Sequence, residues 1–194
     1  MGQRSQIYVR YTRNNKSYLT ARYYQWNYGE RMISRCRYAL EWIKEYMEYD
    51  WHLTTETEKL KRILDTNFDM IDVVLGCDIV EEWKEYKLDG EEDWPGSLND
   101  YVFYHQDNNN GKLFIDIKDG NIKYAFLDYK CNTDKIMSAA KYMNWDFQGW
   151  RTSEYIDDEQ KALCEKNLKE IKKLAQLMTK EELEDFINCD YGME

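Results

Sequence analysis

The chain has 194 residues, with 27 Lys/Arg against 37 Asp/Glu for a net charge of −10, and 15% of it is aromatic. This composition suits one domain with a real core; it excludes a disordered acidic tail and a membrane-spanning apolar run, and it argues against a general nucleic-acid binder. Five cysteines without Cys-x-x-Cys spacing argue against a disulfide framework and a zinc knuckle, and together with an opening that lacks the apolar stretch of a secretory signal they lead us to expect a reducing cytoplasm.

Ser5–Thr12 alternates Ile7, Val9 and Tyr11 with Tyr8, Arg10 and Thr12, which is the period of a strand. Asn14 and Asn15 supply turn chemistry, and Tyr18–Trp26 alternates again, so a β-hairpin opens the protein. Over 30–49, Ile33, Cys36, Leu40, Ile43 and Met47 recur every three or four residues and predict an amphipathic helix. A second helix is expected from Thr55, with Leu60, Ile63 and Leu64 as its stripe. Phe68–Tyr86 reads as a third, because Ile79, Val80 and Trp83 continue at helical spacing; a buried strand is the alternative. Residues 88–99 hold the single proline, Pro95, and form a surface loop or sub-domain boundary.

Tyr101–His105, Lys112–Lys118 and Ile122–Asp128 then predict a three-stranded meander, joined by Asn108-Asn109-Asn110-Gly111 and by Asp119-Gly120. The last third reads as helices over 133–143, 157–178 and 179–188, the last opened by Thr179 with Glu182 three residues on. The fold class expected is α+β, in which an antiparallel sheet, made of the N-terminal hairpin and the meander, packs against long amphipathic helices. Ile33, Leu40, Ile43, Leu168 and Ile171 are its expected core.

Chemistry-bearing motifs are sparse. His52 and His105 are the only histidines, neither beside a nucleophile motif, and no glycine-rich phosphate loop is present. Asp69 with Asp72, and Glu81, Glu82 and Glu85, read as a solvated acidic face, and neither a metal site nor a cofactor is expected. One constellation fits a reaction. Asp116 on a strand, with Asp128 and Lys130 ending the next, loosely matches how magnesium-dependent nucleases hold a metal and activate water.

Charge is segregated. Residues 1–44 carry nine bases and two acids, whereas 45–100 carry five bases and seventeen acids. The acidic stretch, with Glu81, Glu82, Glu85, Glu91, Glu92 and Asp93, offers a face that imitates nucleic acid to a basic partner. The tyrosine-rich hairpin, with Arg10, Arg22, Tyr24 and Trp26, offers interface anchors or a platform for single-stranded bases.

Met1-Gly2-Gln3-Arg4, opening a hairpin whose second strand closes at Trp26-Asn27-Tyr28-Gly29, resembles small phage and prophage proteins of Gram-positive bacteria. The resemblance covers about the first 45 residues and carries no site residue with it. It implies a phage context, where small acidic proteins without catalytic motifs are often inhibitors of host defence, anti-CRISPR proteins among them. The expected function is therefore non-catalytic binding to a host protein or nucleoprotein complex, a CRISPR effector being one such target, with no membrane involved. A small metal-dependent nuclease, or a phage nucleic-acid-binding accessory protein that uses the basic hairpin, is the alternative.

Overall fold

Two hairpins lie side by side at the centre of the molecule. The computed structural model describes residues 3–13, 15–48, 78–82 and 109–189. Strands β1 (Arg4–Arg13) and β2 (Lys16–Gln25) form the first hairpin, followed by helix α1 (Gly29–Glu48) and a short strand β3 (Asp78–Glu82). Strands β4 (Lys112–Lys118) and β5 (Asn121–Leu127) form the second hairpin. Helices α2 (Ala139–Asp146) and α3 (Asp158–Leu174), strand β6 (Gln176–Leu177) and helix α4 (Lys180–Asn188) complete the described chain.

The sheet runs in the order β3-β2-β1-β4-β5-β6. Its hairpin pairs and the β2–β3 pair are antiparallel, but β1–β4 and β5–β6 are parallel. The expectation of a purely antiparallel sheet is corrected here. Leu113-Phe114-Ile115 is apolar on both parities, as suits a central strand covered on both faces, and β4 is buried from Lys112 to Ile117. Each hairpin closes on residues that tolerate positive φ: Asn15 (60°) in the first, Asp119 (50°) and Gly120 (76°) in the second.

Ile7, Val9, Leu113, Ile115 and Ile117 face one layer, made by Met32, Ile33, Cys36, Leu40 and Ile43 of α1, by α2, and by Cys164, Leu168 and Ile171 of α3. The five core residues expected from periodicity are all buried there. The two long helices are also tied by polar contacts: Asn167 Nδ2 donates to Ser34 Oγ (2.8 Å), and Arg37 Nη1 donates to Asn167 Oδ1 (3.0 Å). The other face holds Tyr8, Leu19, Ala21, Phe114, Ala125 and Leu127 beneath Leu183, Phe186 and Ile187 of α4. Tyr8 stacks on Phe114 with centroids 5.0 Å apart, and Phe186 meets Phe114 edge-on. The sheet is thus sandwiched.

Three boundaries differ from the sequence reading. Within the span read as a 68–86 helix, Asp78–Glu82 is a strand on the edge of β2, where β-branched Ile79 pairs with Tyr24 and the register shifts at Val80. The 157–178 helix stops at Leu174, because Gln176–Leu177 pairs with β5 and the Met178 N–H donates to the Tyr124 carbonyl (2.9 Å). The 133–143 segment opens as a 3-10 turn, Thr133–Lys135; its helix begins at Ala139, capped by Ser138, and runs to Asp146. The Thr179/Glu182 capping box forms as read, and Asp157 with Gln160 makes a second. The Thr55 helix, the 88–99 boundary and the Tyr101–His105 strand lie outside the described residues.

Candidate docking surface at one end of the sheet

Asp116 belongs to the structure's interior. The β1–β4 register sets it opposite Arg10, and the pair is bidentate: Arg10 Nε to Oδ1 at 2.7 Å and Nη2 to Oδ2 at 2.8 Å. Arg10 Nη1 also donates to Asp185 Oδ2 of α4 (2.9 Å), and its guanidinium lies 4.8 Å over the Phe186 ring. With Arg10 only 4% exposed, this side chain anchors α4 and is not open to a partner, which corrects its place among the binding residues. Lys123 pairs with Glu182 in the same groove of about 320 Å³.

The nuclease-like constellation is not assembled. Asp116 pairs with Lys123, whereas Asp128 lies five residues further along, about 17 Å at ~3.4 Å per residue. Asp128 Oδ1 instead accepts from the Lys130 backbone N–H (2.9 Å), and the Lys130 ammonium lies 5.6 Å over the Tyr129 ring.

Tyr24 is also corrected: it is buried, with the Arg35 guanidinium 4.4 Å above its ring. Arg22 and Glu82 are neighbours across β2 and β3, and Glu81 pairs with Tyr23. Glu85, Glu91, Glu92, Asp93, Asp69, Asp72 and both histidines lie outside the described residues.

Trp26 is a hairpin aromatic left in the open. It is 42% exposed, and its φ of 63° is an outlier for a bulky side chain. The conformation is held from both sides. The Trp26 N–H donates to Gln3 O (2.5 Å), and its carbonyl accepts from Arg31 Nη1 (3.2 Å). The next residue, Asn27, is fully buried: its carbonyl accepts from Ser5 Oγ (2.7 Å), and its side chain bonds Ser5 and Arg35. Gly29 then starts α1, its N–H capped by Asp146 Oδ2 (2.6 Å) from α2. The Trp-Asn-x-Gly segment is therefore a fixed bracket that turns one indole outward.

The same end of the sheet carries a second aromatic group. Tyr129, 54% exposed, follows β5 and stacks with Trp145 at 6.5 Å. Trp145 in turn leans on Gly111, where a Cβ would stand 2.4 Å from the Leu127 carbonyl, so only glycine (φ 80°) fits. Between the two groups lie Arg4, Asn109 and Asn110; the Arg4 N–H donates to Asn109 Oδ1 (2.8 Å). Three strand spacings separate β2 from β5, about 14 Å in all. Arg31, bonded to the Trp26 carbonyl, lies 5.5 Å over the Tyr28 ring, and Lys130 lies over Tyr129.

Beneath this surface sit two crowded carboxyls. Burial pushes both Glu30 and Asp146 above the ordinary carboxylate range, and the Asp146 charge adds to the effect on Glu30. Asp146 is offset by bonds from Asn110, Gly29 and Tyr142, whereas Glu30 Oε2 is buried without a hydrogen-bond partner among the described residues. Sequence reasoning missed Tyr129, Trp145 and this pair, since they meet through tertiary contacts between α1, α2 and the strand ends.

Burial raises the thiols of Cys36 and Cys131 and lifts that of Cys164 to about 12, so these are poor nucleophiles. Among the described residues no cluster of three His, Cys, Asp or Glu converges, and no helix is long and apolar enough to cross a membrane. No family model, curated protein or solved structure matches the chain.

Proposed function

We propose that the protein is a non-catalytic inhibitor of the anti-defence type found in phages, and that it docks on a host protein through the Trp26–Tyr129 end of its sheet. The observation that carries the binding part is Trp26, an exposed indole on strained backbone that surrounding bonds hold in place. Strain of this kind persists where neighbouring structure enforces it, and it concentrates at functional sites. Trp, Tyr and Arg are also the residues that dominate interface energetics, and here they come on rigid supports with little entropy left to lose. The phage context rests on the N-terminal resemblance. The acidic strand β3 supports a basic docking site on the target, since Asp78 pairs with Gln25 beside Trp26.

The test is capture from the natural host with the wild-type chain, followed by an affinity measurement on the partner identified. Trp26→Ala should weaken binding by at least about tenfold, whereas Tyr155→Ala, at another exposed aromatic (94% open), should leave it unchanged. Equal affinity of Trp26→Ala and wild type contradicts the proposal. A nucleic-acid accessory role is the second reading, favoured by Arg31 over Tyr28 and Lys130 over Tyr129 at this end of the sheet. Single-stranded DNA that binds the pure protein and is lost in Tyr129→Ala would promote it.

A further inference from the structure

The opposite end of the sheet holds a groove of about 500 Å³ between α1, α3 and the β4–β5 turn. Lys44 of α1 and Lys172 and Lys173 of α3 line it, with Ile122, Leu174 and Ala175 as an apolar wall, and no carboxylate is among its lining residues. Lys173 pairs with Glu170 (2.7 Å), while Lys44 and Lys172 have no ion-pair partner among the described residues. Three ammonium groups around one concavity repel each other, in a protein whose net charge is −10.

The backbone adds a donor. Phe126 exchanges both backbone bonds with Met137, and the Tyr124 carbonyl accepts from Met178, so even-numbered residues of β5 turn their polar groups away from β4. Ile122 shares that parity. The parallel ladder to β6 begins at Lys123 and Gln176, one step beyond it. Its N–H therefore faces away from β4, on the edge where Ile122 lines the groove. Lysines in the last turn of α3 also offset the carbonyl end of that helix, but Lys44 and the Ile122 N–H belong to other elements and have no such role.

We propose that this groove binds a small phosphate-bearing anion, held by Lys44, Lys172, Lys173 and the Ile122 N–H. A free diphosphate and the diphosphate of a nucleotide share this chemistry; the apolar wall is placed to touch the organic part of the second. The site lies at the other end of the sheet from Trp26 and does not depend on the docking proposal.

Calorimetric titration of the full chain with inorganic pyrophosphate tests it at 0.02 M and 0.15 M salt, with amide NMR as a second readout. Saturable one-to-one binding that persists at 0.15 M salt is expected, with the Ile122 amide among the most shifted. Lys44→Glu combined with Lys172→Glu should weaken it by at least about tenfold, with an unchanged melting temperature, and Lys130→Glu should have no effect. Equal affinities for pyrophosphate and a nucleoside diphosphate would assign recognition to the phosphates; a tighter nucleotide would add the apolar wall, and either supports the site. Binding that vanishes at 0.15 M salt, survives the double reversal, leaves Ile122 unmoved, or appears with polyglutamate but not pyrophosphate overturns it.

Discussion

The two faces of the sheet are both buried, yet by different chemistry. The face under α1, α2 and α3 is aliphatic and aromatic, with Ile7, Val9, Ile115 and Leu40 typical of it. The face under α4 mixes Tyr8 and Phe114 with a buried Arg10–Asp116 pair and a buried Lys112, whose ammonium is pushed down by burial. Apolar packing is tolerant of rearrangement, whereas a buried ion pair fixes one register, here that of β1 on β4 and of α4 on both. The difference suggests that the first face supplies most of the stability and the second supplies alignment.

The sharpest way to break this comparison is to remove one charge of the pair. Asp116→Ala leaves Arg10 buried without its bidentate partner and should cost about 3–5 kcal/mol in urea denaturation, whereas Arg10→Met with Asp116→Leu should recover most of it. Failure of the double variant to recover stability would show that the pair is not acting through desolvation. On the aliphatic face, Leu40→Ala should cost about 2–5 kcal/mol and leave no single change able to restore it. Near-wild-type denaturation midpoints would mean that the α1 stripe is not the main core.

The sequence revealed the first face because its signals are local. Ile33, Cys36, Leu40 and Ile43 recur at helical spacing, and Thr179 with Glu182 announces a helix start within four residues. The second face was misread for a physical reason: Tyr8 and Arg10 alternate with apolar residues as solvent-facing positions do, and nothing in β1 shows that α4, some 170 residues later, covers them. Asp116 was read as chemistry for the same reason, since a carboxylate on a strand looks alike whether it meets a metal, water or an arginine. Of the candidate binding residues whose burial is described, Arg10 and Tyr24 are buried and Trp26 is exposed. Its bracket could be recognised as a motif, but the φ that turns it outward depends on Gln3, Ser5 and Arg31 together.

Smaller effects refine the comparison. Thr179→Ala removes half of the capping box that starts α4 and should cost about 0.5–2 kcal/mol, read as a lower melting temperature. A larger loss would give α4 more of the fold's stability than the comparison allows. The smallest effect is pH-dependent. Because burial raises the Glu30 carboxyl, the folded state binds its proton more tightly than the unfolded chain, so its charge destabilises above the ordinary carboxylate range and this penalty fades as pH falls through it. Glu30→Gln should therefore raise the melting temperature at pH 7 and lose that advantage near pH 4. A gain that is the same at both pH values would show that charge is not the cause.

The central claim is that the aromatic end of the sheet binds and the α4 face only aligns. Hydrogen exchange on the captured complex measures this directly. The account predicts slowed exchange at residues 26–31 and 128–131, with 180–188 unchanged from the free protein. Protection confined to 180–188, with 26–31 unaffected, would contradict it.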